Sequence, residues 1–186
     1  MKLNQRVLVR FLAVLSLGIA VAETAEAQEG YTFTVGVLGG LGGSLDADPG
    51  DSLSNTAYQL TAALITEPKT HLALRVGHLN LDDDGVFESL TDAGLDYLNI
   101  AGEYRYDHAF YESGIYFGLG GYRLDGNPLD GGESSSETSF GGVLGLTGEF
   151  EITRRVSFVI DLAGHWANFD DAQTFVIGQA GIAVHF

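Results

Sequence analysis

Thr174-Phe175-Val176-Ile177-Gly178-Gln179-Ala180-Gly181-Ile182-Ala183-Val184-His185-Phe186 closes the sequence. In an extended strand, residues two apart point to the same side. Stepping back from Phe186 gives Val184, Ile182, Ala180, Gly178 and Val176, a face fit for hydrocarbon. The opposite face carries His185, Gln179 and Phe175 and is mixed. One apolar and one mixed face, with an aromatic residue at the end, predicts a strand laid against lipid.

The rest of the sequence repeats this pattern. Strands are predicted over 31–43, 56–66, 70–81, 95–106, 109–124, 138–153, 155–167 and 174–186. No helical period persists beyond the N-terminal segment. Connections alternate in length. Those after the first, third and fifth strands (44–55, 82–94, 125–137) are long and rich in Asp, Gly and Ser, while those after the second, fourth and sixth (67–69, 107–108, 154) are minimal. The seventh connection, 168–173, is shorter than the other long ones. Short turns at one end and long loops at the other are expected of a transmembrane barrel with both termini in the periplasm. The fold class is therefore all-β, an eight-stranded antiparallel up-and-down transmembrane β-barrel.

The N-terminus has the layout of a secretory signal. Lys2, Arg6 and Arg10 precede a nearly uninterrupted apolar run from Phe11 to Ala22, and Ala25-Glu26-Ala27 offers small residues for cleavage. The division expected is a signal peptide over 1–27 and a barrel domain over 28–186, with the outer membrane as destination. A retained anchor is the alternative, but the apolar run is short of the roughly 20 residues that a spanning helix needs. The sequence holds no cysteine, so disulfides and thiolate metal sites are excluded.

Formal charge is −16, which repels nucleic acid. It suits solvated acidic loops able to hold divalent cations weakly, at Asp82, Asp83 and Asp84 and at Asp46, Asp48 and Asp51.

Alternation assigns faces. The outer set runs Tyr31, Phe33, Val35 and Val37, then Tyr58, Leu60, Ala62 and Leu64, and continues through Leu72, Leu74, Val76, Leu98, Ile100, Tyr104 and Tyr106. It resumes with Tyr111, Ile115, Phe117, Leu119, Phe140, Leu144, Leu146 and Phe150, and finishes with Val156, Phe158, Ile160, Leu162 and Trp166. Aromatics gather near strand ends, where a ring can sit between acyl chains and headgroups. Tyr31, Tyr106, Phe110, Tyr111, Phe150 and Phe186 are placed in one girdle, and Tyr58, Phe140, Trp166 and Phe169 in the other. Arg75, Glu103, Arg105, Glu112, Glu149 and Asp161 fall on the inner face with Gln59, Asn99, Thr147 and His165. Charges inside so narrow a barrel must pair, because a lone buried charge costs several kcal/mol. A soluble barrel is the structural rival, and it would turn its apolar set inward.

Motifs for chemistry are weak. Gly164-His165-Trp166-Ala167-Asn168 resembles the His-x-Ser-Asn stretch of outer-membrane lipid A deacylases, but Ala167 stands where the nucleophilic serine is required. Asn80-Leu81-Asp82-Asp83-Asp84-Gly85 resembles the first half of an EF-hand loop, with Asn in place of the first Asp and Thr91 in place of the bidentate Glu. A solvated loop with a turn at Asp84-Gly85 is the simpler account. The histidines show no metal-ligand spacing. No catalytic, cofactor-binding or metal residue is assigned, and no cofactor is expected.

From residue 31 onward the sequence resembles the small outer-membrane β-barrel superfamily that includes the OmpA transmembrane domain and OmpX-like proteins. The likeness is carried by Tyr116-Phe117-Gly118-Leu119-Gly120-Gly121-Tyr122, by Phe140-Gly141-Gly142-Val143-Leu144-Gly145-Leu146 and by the ending Ala183-Val184-His185-Phe186. It implies partners in outer-membrane lipid and lipopolysaccharide. It also implies that the barrel-assembly machinery reads Phe186, Val184 and Ile182 as an assembly signal. A non-enzymatic barrel acting in envelope integrity or surface interaction is expected. The alternative is a narrow cation-preferring pore for small solutes, and a lipid A-modifying enzyme ranks below both.

Overall fold

A computed structural model of the chain describes residues 32–45, 55–81, 90–128, 135–169 and 174–186. The expected signal peptide, Tyr31 and the acidic positions 46–51 and 82–84 lie outside them. The described residues form eight strands: β1 (Phe33–Ser44), β2 (Asn55–Glu67), β3 (Thr70–Asn80), β4 (Leu90–Asp107), β5 (Glu112–Pro128), β6 (Ser135–Thr153), β7 (Val156–Ala167) and β8 (Thr174–His185). Each pairs antiparallel with its sequence neighbours, and β8 pairs back onto β1, so the sheet closes into a barrel. Closure leaves no strand without a partner on either side, the arrangement that satisfies backbone groups in a medium without water. Strands of a dozen residues, rising about 3.4 Å per residue and tilted by roughly 40°, span about 30 Å, the thickness of a bilayer's hydrocarbon core.

The apolar set faces outward, as the alternation predicts. Ile100 is 60% exposed, Leu146 56% and Leu162 52%, and Val37, Leu72, Leu98, Phe117, Leu119, Leu144, Ile160 and Ile182 continue the belt around the barrel. A soluble protein does not leave an apolar surface of this extent in water. Leu60 is the exception. Its register partners Val37 and Val76 belong to the outer set, yet Leu60 is almost fully covered.

The structure changes three features of the predicted layout. β4, β5 and β6, at 18, 17 and 19 residues, outrun the other strands. Most of their extra length lies at the loop end, where Leu90 pairs with Pro128 and Gly126 with Ser135. These polar segments read as loop because solvated strands lack an apolar face. The turn after β4 covers residues 108–111, longer than expected, and β5 starts at Glu112 instead of residue 109. His108 donates its backbone N–H to the Tyr111 carbonyl there, and their rings stack at 4.5 Å. Phe169, expected in the outer aromatic girdle, is buried inside the loop end.

Glycines make room for the rings. Gly77 lies opposite Tyr97 and Gly145 opposite Tyr116 in the ladders. A Cβ on either glycine would sit 2.2 Å from the facing tyrosine ring. Two tyrosines can therefore point into a lumen only eight strands wide because the residue across the ladder has no side chain.

The filled lumen as candidate functional site

The interior is built from odd-numbered residues of β2, β3, β4, β6, β7 and β8 and even-numbered residues of β1 and β5, facing one another across the axis. Its centre is Arg75 on β3. The guanidinium donates to Asp161 of β7 at 2.8 Å and to Glu103 of β4 at 3.3 Å. It also lies 3.6 Å from the centre of the Tyr116 ring, whose hydroxyl donates to Asp161 at 3.0 Å. Glu103 then accepts from Arg105 at 2.8 Å. Arg105 continues to Glu149 in a close contact and to Glu112 at 3.3 Å. One connected network thus contains all six charged residues placed inside by the sequence. Five are buried, while the Glu112 side chain is about half exposed at the turn end. Buried ions persist when each has charged partners and hydrogen bonds, and the planar arginine fork supplies both.

Beyond Arg75, toward the loops, the lumen turns aromatic and apolar. The Tyr97 hydroxyl donates to Gln59 at 3.0 Å, and the Tyr97 ring packs 4.6 Å from His165. Tyr122 donates to the Gly142 carbonyl at 2.7 Å and lies 3.1 Å from Nδ1 of His165. Above them Leu79, Leu95, Ile177, Phe175 and Phe169 fill the section and are nearly inaccessible. Between the charged and aromatic layers, Arg75 Nε, both amide atoms of Asn99, Gln59 Nε2 and Gln179 Nε2 have no partner among the described residues. Such atoms in the middle of a lumen mark the height at which its internal polar groups are least satisfied.

At the turn end, His185 gathers Thr34 Oγ1 at 3.0 Å on Nδ1, and Ser157 Oγ at 2.9 Å and Glu149 Oε1 at 2.8 Å on Nε2. The residue types are those of a nucleophile–histidine–acid relay, but the geometry is not. Ser157 and Glu149 converge on the same ring nitrogen, so the acid does not orient the imidazole toward the serine. Thr34 takes the other nitrogen, but it is laddered to Ala63 and His185 on its two sides, which leaves no pair of free backbone N–H groups to stabilise an oxyanion. Within the cluster both ring nitrogens of His185 are taken up by these contacts.

The other sequence-selected residues lie apart. Val184 and Ile182 face outward on β8 beside β1, and Phe186 is half exposed with its ring 6.3 Å from Phe33. Tyr106 is exposed near Tyr104, Trp166 is partly exposed near Phe117, and Tyr58 stacks on His78 at 5.1 Å. His165 and Trp166 point to opposite sides of β7, so His165 is sealed in the lumen. Among the described residues no group of three His, Asp or Glu side chains could hold a metal ion. Sequence reasoning missed Tyr97, Tyr116 and Tyr122 as lumen residues. For the first two, the signal was available in the glycine opposite each ring.

No family model matches the chain, and no curated protein matches it. Solved structures do. The crystal structure of Neisserial surface protein A is similar over 85% of this chain and 100% of that one, at 17% identity and a TM-score of 0.65. A major outer membrane protein from Thermus thermophilus is similar over 85% and 100%, at 15% identity and a TM-score of 0.59. The N-terminal β-barrel domain of Pseudomonas aeruginosa OprF is similar over 86% and 100%, at 11% identity and a TM-score of 0.56. With the closed ladder, the outward apolar belt and the filled interior, these likenesses establish the fold as that of the small eight-stranded outer-membrane β-barrels.

Proposed function

We propose that the chain is a non-enzymatic integral protein of an outer membrane, sealed along its lumen, that acts in envelope integrity or surface interaction through its acidic loop end. The observation that carries this reading is the cross-section. An apolar belt surrounds an interior whose charges are paired around Arg75 and Arg105 and whose upper half is closed by Tyr97, Tyr122, Phe175 and Phe169. A polypeptide built this way stays in the bilayer and offers no continuous aqueous path, which favours the sealed barrel over a cation-preferring pore. The position of His165 favours a non-enzymatic role. It is walled off from the outer face by its own strand, and its neighbour Ala167 has no hydroxyl to activate.

In this account residues 1–27 direct export and are removed, and the barrel-assembly machinery recognises Ile182, Val184 and Phe186. Tyr58, Tyr106 and Trp166 sit at the two interfaces, in contact with lipid and lipopolysaccharide. The excess of carboxylates, −16 overall, suits a basic surface partner or weakly held divalent cations. Cell fractionation tests the proposal. Recovery with the outer membrane, extraction only by detergent and a faster-migrating unheated gel band are expected. Recovery in a soluble fraction without heat-modifiable migration would overturn it.

A further inference from the structure

The pairing of β1 with β8, from Thr34 opposite His185 to Ser44 opposite Phe175, joins the two ends of the barrel sequence. Side-chain pairing along this seam is thin. Every pair from Leu38 and Gly181 to Gly43 and Val176 contains a glycine, and Gly36 stands opposite Ala183. Side-chain pairs across a ladder are the unit of sheet stabilisation, and glycine gives up the most conformational freedom on joining a strand. The larger side chains that meet across the seam collect at the turn end, where Val37 faces Ile182, Val35 faces Val184 and Thr34 faces His185. We propose that His185 is the clasp on which the barrel closes: β6 and β7 hold its ring in place, and the ring captures Thr34 of the arriving β1.

The two ring nitrogens divide the task. Nε2 faces Ser157 Oγ of β7 at 2.9 Å and Glu149 Oε1 of β6 at 2.8 Å, while Nδ1 faces Thr34 Oγ1 of β1 at 3.0 Å. A proton on Nε2, where the carboxylate accepts it, leaves Nδ1 to accept from the Thr34 hydroxyl. Sequence separation puts these contacts in order. Ser157 lies 28 residues from His185, and Thr34 lies 151 away. Loop closure costs more as the loop lengthens, so the Nε2 contacts belong to the β6–β7–β8 sheet and the Nδ1 contact belongs to closure. The site is also covered. Thr34, Glu149 and Ser157 are buried and the His185 side chain is 12% exposed, so losing one partner leaves a desolvated polar group behind. Glu149 in turn meets Arg105, and Arg105 meets Glu103. Capture at His185 thereby ties β1 to the charged network of the lumen.

The test follows two seams during refolding of the full-length protein from urea into short-chain lipid vesicles. The sequence has no cysteine, so an introduced pair reports one contact. Val37→Cys with Ile182→Cys spans the closing seam, and Leu146→Cys with Leu162→Cys spans β6 and β7. All four positions are on the exposed outer face. Samples are oxidised briefly at intervals, blocked with a thiol reagent and scored on gels. His185→Ala should slow the closing cross-link by about tenfold, the equivalent of roughly 1.4 kcal/mol, and leave the β6–β7 cross-link unchanged. Thr34→Val, which keeps the volume and removes the hydroxyl, should do the same. His185→Gln, which keeps a donor and an acceptor, should recover part of the rate. If His185→Ala yields no heat-modifiable band, the β6–β7 cross-link should still form and the closing one should not. Equal slowing of both seams, or no change at the closing seam in His185→Ala and Thr34→Val, would overturn the proposal.

Discussion

Replacing Arg75 by Met tests the energetics of the lumen. The guanidinium is almost completely buried and faces Asp161 at 2.8 Å and Glu103 at 3.3 Å. Without it, Asp161 keeps one hydrogen bond, from Tyr116, and Glu103 keeps Arg105. Removing one partner of a buried ion pair costs about 3–5 kcal/mol, because the remaining charge stays desolvated. With a denaturant slope of about 2 kcal/mol per M, the urea midpoint should fall by about 2 M. Unfolding in short-chain lipid vesicles can be followed by fluorescence of Trp166, the protein's single tryptophan, and by the folded gel band. Adding Asp161→Asn to Arg75→Met should recover much of the loss, because the stranded carboxylate is then neutral. The coupling energy should exceed about 1.5 kcal/mol, against a scatter of about 0.5 kcal/mol for independent sites. A single-variant loss below about 1 kcal/mol, or strict additivity in the double variant, would refute the premise that this pair is buried and mutually dependent.

Three further outcomes follow from other parts of the barrel. Ile100→Arg, in the middle of the exposed belt, should destabilise the protein in lipid by about 2–4 kcal/mol. A change near the surface-typical limit of about 0.5 kcal/mol would mean that this face meets water. Gly145→Val should cost at least about 1–3 kcal/mol by overpacking, since the new side chain enters the Tyr116 ring, and Tyr116→Ala in the same chain should relieve part of that loss; urea unfolding of the single and double variants measures both. Phe186→Ala should lower the yield of heat-modifiable barrel in the membrane fraction while leaving refolding into detergent intact, which pulse-labelled fractionation and in vitro refolding can separate. Equal yields in vivo would remove Phe186 from the assembly signal.

The fold was legible because a two-residue period and an alternation of loop lengths are both local. Phe186, Val184 and Ile182 announce their face without knowledge of any other strand, and the inward positions of Arg75, Glu103 and Asp161 follow from the same parity. Depth along the axis was less legible. Tyr97, Tyr122 and Phe175 share the inner face with the charges, and parity cannot tell that they collect at the loop end while Arg105 and Glu149 collect at the turn end. That separation depends on how each strand is staggered against its neighbours, a property of closure. The extensions of β4 to β6 were hidden because Asp125, Ser136 and Glu137 bring loop-like polar chemistry into the ladder. Phe169 was misassigned because an aromatic just past a strand end can anchor at the interface or fold back over the lumen. Only the packing with Phe175 and Tyr122 decides. The cluster at the turn end could not be foreseen, since Thr34, Glu149, Ser157 and His185 come from four different strands.

The central claim, a bilayer-spanning barrel closed along its axis, is tested most directly by single-channel recording of the refolded protein in planar bilayers under symmetric salt. The account predicts a baseline without discrete openings, and the same baseline for Arg75→Met, because the layer of Tyr97, Tyr122, Phe175 and Phe169 still closes the section. Reproducible cation-selective steps from the wild-type protein would contradict it.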